Sequence, residues 1–362
     1  YGDPLGLKAS WESIVNFKNL EATKRTEVLS DNAQWFEDNS PVDARFKKKE
    51  CKGVTAKVIT TAILAGDCYP ATPIGINLPN ANWIRETYGS KSVTIENITY
   101  AYDQAAKGNG FKEEFVDCDA DREMIEKYGY ITDNIHTDLH ECLGHGSGQL
   151  LPGVSQDALK AYGATVEEAR ADLFGLYYSA DPKMVELGLL PTEDAYKAEY
   201  YTYLMNGLMT QLVRINLGDQ IEEAHMRNRA LIAHWVYEKG AADKVVELEK
   251  RDGKTYVRIN DYKKLRTLFG DLLAEIQRIK SEGDFEAARK LVENYGVNID
   301  PELHKEVKER YAKLNISPYK GFINPTYQLV EKDGKVVDVK VDYKEGYAEQ
   351  MLRYSKMNNN VE

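Results

Sequence analysis

Cysteine is scarce, with four residues in a chain of 362. Cys51, Cys68, Cys118 and Cys142 show no Cys-x-x-Cys spacing. Neither a disulfide framework nor a cysteine-built metal knuckle is expected, and a reducing, cytoplasmic setting fits. Long apolar runs are also missing. The longest, "VITTAILAG", is broken by threonines and falls far short of the roughly 20 residues that span a bilayer. Positive charge is in deficit: 47 Lys and Arg against 58 Asp and Glu, a net charge of −11. Such a surface repels phosphate backbones and anionic lipid. The basic run "RFKKKECK", Arg45 to Lys52, reads as a solvated face. Nucleic acid and membrane are therefore not expected as partners. No internal repeat is visible, and the only low-complexity tract is "NNN" near the end.

What remains describes an ordinary core-forming chain, 43% hydrophobic and 29% charged. Its length suits two or three domains, or one large lobe with pieces of another. A helical pattern is expected from Ser10, a plausible cap in "SWESIV", to about Lys49. Residues 53–108 are rich in Gly, Pro and Asn with short β-branched runs, and read as strands and loops. Helical periodicity returns from Phe111 to about Glu238; Ile131, Ile135, Leu139 and Leu143 recur every four residues, one buried stripe. Two hairpins are marked by Asp252-Gly253 and Asp333-Gly334 between β-prone runs. The expected class is mainly α: a helical lobe from 9–52 and 109–318, with strand-containing segments 1–8, 53–108 and 319–362 joining in a second, α+β lobe.

The stretch "HECLGHGSG", His140 to Gly148, poses a spacing problem. Metal-binding histidines on a helix usually lie four apart, about 400° and so on one face. His140 and His145 are five apart, about 140° off that face. One extra residue in the turn, a π-bulge, brings the rings back together, and Gly144 before His145 eases such a turn. His136 and His140 are four apart and need no bulge. Chemistry separates the pairs: a catalytic zinc site needs an adjacent base for its water. Glu141 beside His140 qualifies, whereas the equivalent position after His136 is Thr137.

A third ligand is expected from "TVEEARADLFGLYY", which begins 20 residues after His145. Two readings stand. Thr165 and Glu168 fit a capping box. Alternatively Glu168 ligates zinc and Asp172, four residues on, accepts from the outer nitrogen of a ligand histidine.

"HECLGH" followed by "EEARAD" resembles the paired signature of the dipeptidyl peptidase III family of zinc exopeptidases. "GINLPN" (Gly75 to Asn80), "EEAHMRNR" (Glu222 to Arg229) and the opening "YGDP" resemble further segments of that family. The likeness covers essentially the whole chain, but only the C-terminal half of a full member. It implies one zinc on His140, His145 and Glu168, with Glu141 as general base. It implies that Glu167 and Asp172 orient the ligand histidines, and that His225 and Tyr1 stabilise the oxyanion. Asn77 and Asn80 would hold the N-terminal end of a peptide and Arg229 its far end. The implied fold is a helical zinc lobe facing a lobe with a β-barrel across a cleft. Two departures stand out: Asp172 replaces a glutamate common in the family, and the gap between the zinc motifs is shorter than in eukaryotic members.

The function this implies is release of dipeptides from the free N-terminus of short peptides. A zinc endopeptidase, or a helical peptide-binding protein with a relict metal site, are the alternatives. Because Tyr1 opens the chain, the upstream part of the same protein is expected as a partner. The chain by itself is expected to bind zinc but to cleave little.

Overall fold

The computed structural model of the chain describes residues 11–51, 57–66, 68–69, 74–78, 91–316 and 321–358, with only the backbone of Asn77, Leu78, Lys91, Ser92 and Asn358. In chain order the strands are β1 (Glu12–Lys18), β2 (Lys57–Gly66), β3 (Gly75–Leu78), β4 (Lys91–Ile95), β5 (Val246–Arg251), β6 (Lys254–Ile259), β7 (Thr326–Lys332) and β8 (Lys335–Asp342). The helices are α1 (Leu20–Asp31), α2 (Ala33–Asp38), α3 (Glu96–Ala106), α4 (Phe111–Phe115), α5 (Asp119–Leu139), α6 (Gly163–Ser179), α7 (Lys183–Glu186), α8 (Tyr196–Leu208), α9 (Ala224–Lys239), α10 (Tyr262–Glu282), α11 (Phe285–Tyr295), α12 (Pro301–Lys313) and α13 (Tyr347–Asn358). The fold is mainly helical, with small sheets.

The helical reading of the first segment needs correction. Residues 12–18, "ESIVNFK", form a strand that pairs antiparallel with β2, from Glu12 opposite Gly66 to Lys18 opposite Ile59. Ile14, Val15 and Phe17 favour a pleated surface, and the helix starts only at Leu20. Its cap is Asn19, whose side chain accepts from the Ala22 amide at 3.1 Å. Conversely, 53–108 holds three strands but also helix α3. The sheet order is β1-β2-β4-β3, with β2 and β4 parallel and β3 at an edge. Both expected hairpins form. Asp252, Gly253, Asp333 and Gly334 all have positive φ, the backbone that a two-residue turn of type I′ requires.

Helix α6 is the hub of the helical part: α5, α9 and α10 all pack on it. Val166, Ala169, Leu173, Phe174, Leu176 and Tyr178 are buried around its circumference, which leaves open mainly the side that carries Ala164, Glu167 and Glu168. The core is tyrosine-rich, and each deep hydroxyl finds an acceptor. Tyr200 donates to Leu176 O at 2.8 Å and Tyr201 to Val257 O at 3.0 Å, which avoids stranded polar atoms. The four-stranded sheet joins this core through Arg25 of α1, which bonds Asp138 of α5 at 2.5 Å and lies 3.7 Å from Glu96 of α3. Among the described residues no helix is long and apolar enough to cross a membrane.

Candidate metal centre

Helix α5 does not stop at Leu139. It continues as one widened π turn, His140 to Gly144, in which the His145 amide donates to His140 O at 3.1 Å. This is the extra residue that the five-residue spacing demanded. It brings the two imidazoles to 4.6 Å between ring centroids, at right angles. Gly144 has a different job from the one expected. A Cβ there would lie 2.8 Å from Ala171 Cα and 2.9 Å from Ala171 O, so glycine lets the π turn touch α6.

The outer nitrogen of each ring is fixed by a carboxylate on α6. His140 Nδ1 meets Asp172 Oδ1 at 2.7 Å, and His145 Nδ1 meets Glu167 Oε1 at 2.8 Å. Both Nε2 atoms are thereby turned towards Glu168. Glu168 Oε2 lies 3.2 Å from His140 Nε2 and 3.8 Å from His145 Nε2. That oxygen is buried and has no hydrogen-bond partner, and neither has Glu141 Oε2. The capping-box reading fails here: α6 begins at Gly163, which places Thr165 inside the first turn with no side-chain cap bond. Two imidazoles with anchored Nδ1 atoms and a carboxylate oxygen without a hydrogen-bond partner form a donor set suited to a three-ligand metal site.

Two other groupings of metal-capable atoms fall within 4.8 Å, His136–His140–Asp172 and His140–Glu141–His145. The first is accounted for by hydrogen bonding. Asp172 Oδ1 serves both His140 and, at 3.2 Å, His136 Nε2, while Oδ2 accepts from Tyr203 at 2.7 Å and Asn228 at 2.8 Å. The second joins the two histidines across the π turn with the Glu141 carboxylate between them in sequence.

Electrostatics follow this wiring. Burial opposes ionisation of Asp172, yet the bonds from His136 and His140 hold its carboxyl well below the usual range. Burial likewise opposes ionisation of Glu167, and Arg170, Lys280 and His145 overcome it. Burial works against charge on His140, but Asp172 and Glu168 raise its pKa to about 10. Glu199, beside His136, is pushed up to about 7, chiefly by burial.

A cleft runs past this centre. One cavity of about 660 Å³ is lined by His145, Glu141 and Glu168 together with Lys48, Lys160 and Lys280. A second, of about 560 Å³, is lined by His140 and Glu141 with Asp133, Glu199 and Arg229. His225 borders both. It is exposed on α9, with Nδ1 3.6 Å from Glu168 Oε2. Arg229, one turn on, opens into the second cavity, which Gly75 of β3 also borders. Gly75 sits so close to Glu141 that a Cβ would lie 2.9 Å from its Oε1. Asn77 lies in β3 opposite Ser92; its side chain, Tyr1 and Asn80 lie outside the described residues.

Of the sequence-derived set, His140, Glu141, His145, Glu167, Glu168, Asp172 and His225 therefore converge, with Arg229 on the cleft wall. Sequence reasoning missed Tyr203 and Asn228, the two further donors to Asp172, and set His136 aside. Asn228 lies three residues after His225 on the same helix and is fully buried, which the sequence alone does not mark.

The model of peptidase family M49 matches residues 1–160 and 154–352. Among curated proteins, dipeptidyl peptidase 3 of Dictyostelium discoideum is 26% identical over 82% of this chain and 47% of its own length. The Homo sapiens protein of that name is 24% identical over 96% and 53%. Nudix hydrolase 3 of Arabidopsis thaliana is 26% identical over 90% of the chain and 40% of that protein. The chain thus spans about half the length of the curated relatives it matches. In fold it resembles dipeptidyl peptidase III from Caldithrix abyssi, with a TM-score of 0.68 and 24% identity over 84% of this chain and 55% of the other. The likeness to Corallococcus dipeptidyl-peptidase III is similar, with a TM-score of 0.67. The matched family model covers all the residues that form the helical hub and its paired carboxylates, and on that match the chain belongs to peptidase family M49.

Proposed function

We propose that this chain is the catalytic part of a zinc-dependent dipeptidyl peptidase that releases dipeptides from the free N-terminus of short peptides. One observation carries the reading. Two imidazole Nε2 atoms converge on a buried Glu168 oxygen that has no hydrogen-bond partner, as Glu141 Oε2 has none. His140, His145 and Glu168 would hold the zinc, and Asp172 and Glu167 would orient the two rings. Zinc bound there supplies the charge that polarises a peptide carbonyl and acidifies a water.

The chain's own groups do the rest. Glu141 takes the proton of that water and returns it to the amine of the scissile bond. His225, exposed above Glu168, donates to the oxygen on which charge develops, as does Tyr1. Asn77 and Asn80 bind the peptide's N-terminal end, and Arg229 binds its far end. The division into a helical lobe and a strand-rich lobe belongs to the same proposal. It is supported by two separate apolar clusters, one throughout the helices and one small cluster of Leu64, Cys68, Ile95, Ile98 and Phe322. The upstream part of the same protein would complete the second lobe, and cysteine usage suits a cytoplasmic setting.

The test is metal analysis with hydrolysis of a free-amine dipeptidyl arylamide, wild type against Glu141→Gln, in the protein carrying its upstream polypeptide. Turnover should fall by about 10²–10⁴-fold with the zinc retained. Equal cleavage of peptides with blocked N-termini would favour an endopeptidase. Tight zinc without turnover would favour a peptide-binding protein with a relict site.

A further inference from the structure

We infer that Arg170 is a positioning residue for the metal centre: it caps the π turn and, through Glu167, sets the His145 ring. This rests on the metal reading above.

Among the described residues Arg170 is the largest fully buried side chain, 0% exposed at the centre of α6. A guanidinium in such a place must be paired and fully hydrogen-bonded. It offers five N–H donors in a rigid fork, and five contacts occupy them. Nε bonds Glu167 Oε2 at 3.0 Å and Nη2 bonds Glu167 Oε1 at 2.7 Å, a bidentate pair one turn apart on α6. Nη1 reaches Ser147 O at 3.1 Å and Ser147 Oγ at 2.6 Å. Nη2 also reaches the carbonyl of His145 at 3.3 Å.

The targets matter more than their number. Glu167 Oε1 is the atom that meets His145 Nδ1. One side chain therefore holds His145 at both ends, its backbone carbonyl directly and its ring through the carboxylate. The π turn ends at His145, where carbonyls lose their intrahelical partners. A buried cation there supplies donors and suits the negative end of the helix dipole. The grip extends one step further: Ser147 Oγ, which accepts from Arg170 Nη1, donates to Gly144 O at 2.8 Å.

Other groups hold this loop from outside. Lys48 Nζ donates to Gly146 O, and Glu37 accepts from the Gly148 amide at 3.0 Å. Lys280 Nζ also donates to Glu167 Oε2. Among the described residues, only Arg170 is recorded bonding both the His145 carbonyl and the carboxylate on its ring. A lysine keeps the charge but not the fork.

The test measures zinc affinity of the chain by chelator competition, and the visible spectrum of the cobalt-substituted form, for wild type, Arg170→Met, Glu167→Ala and the double variant. Melting of the metal-free proteins separates folding from positioning. Arg170→Met should weaken zinc binding about 10–100-fold, the range for partners of ligand histidines, and should alter the cobalt bands. In the Glu167→Ala background the same change should cost less than about threefold, because its main route is gone. If Arg170→Met does not fold, Arg170→Lys serves, with a loss of about tenfold. Zinc affinity within twofold of wild type, or an equal loss in both backgrounds, overturns the inference and leaves Arg170 a core charge. Absence of zinc binding in the wild-type chain removes the metal reading and this inference with it.

Discussion

The helical and strand-rich parts of the molecule solve the same problem to different degrees. Around α6 every face but the one lining the cleft is covered, and even the charged residues Arg170 and Asp172 are buried with their donors and acceptors matched. Among the described residues, the apolar cluster of the strand-rich part has five buried members. Strand β8 is exposed along its whole length. Tyr327, Leu329, Val337, Val339 and Val341 leave an apolar face of the β7–β8 hairpin open, and Val15, Phe17 and Ile63 do the same on β1 and β2. Contiguous apolar surface of that kind marks an interaction site. The difference teaches that the helices holding the candidate metal centre bury most of their apolar side chains, and charged ones such as Arg170 and Asp172, among themselves, while the strands beside them leave apolar surface exposed.

The largest expected effect tests that contrast. The isolated chain should bind zinc yet show little or no dipeptidyl peptidase activity, and activity should return when the upstream polypeptide is restored, covalently or as a separate chain. A side-by-side assay in which the isolated chain is fully active would remove the division of labour.

Next comes Asp172→Ala. It strands four buried groups at once: His136, His140, Tyr203 and Asn228. A loss of about 3–5 kcal/mol in unfolding free energy is expected, as for breaking a buried charge pair. Denaturant unfolding of the metal-free chain measures it, and a change under about 1 kcal/mol would mean that water replaces the carboxylate at little cost.

The smallest effect comes from a matched pair, one residue from each part. Leu173→Ala in α6, at 0% exposure, should cost about 2–5 kcal/mol. Val337→Ala in β8, at 59% exposure, should stay within about 0.5 kcal/mol in the isolated chain. In the completed protein the same valine should cost about 1–2 kcal/mol, because its methyl groups are then covered. An unchanged, small cost in both forms would show that this face meets nothing.

How legible this was depended on how local each cause was. The π turn followed from counting residues between His140 and His145, because a helix has a fixed angular step. The hairpin turns followed from Asp-Gly pairs whose backbone demands are local. Strand β1 was misread because its evidence lies elsewhere: the apolar positions of "ESIVNFK" make sense only opposite β2, which begins almost 40 residues later. Tyr203 and Asn228 were invisible for the same reason, converging on Asp172 from sequence distances of 31 and 56 residues. Arg170 was legible as part of "EEARAD", but its grip on His145 required the fold. Glu168 lay between the cases: its sequence context matched a cap, and only the start of α6 at Gly163 released it from that role.

The most direct measurement is zinc stoichiometry and affinity in the wild-type chain, His145→Ala and His136→Ala. The account predicts one zinc per wild-type chain, a severe loss of affinity in His145→Ala, and retention in His136→Ala, which loses contacts with Asp172 and Glu199 and no ligand atom. Zinc that survives in His145→Ala but is stripped from His136→Ala would contradict it, and would place the metal on the four-residue pair instead of across the π turn.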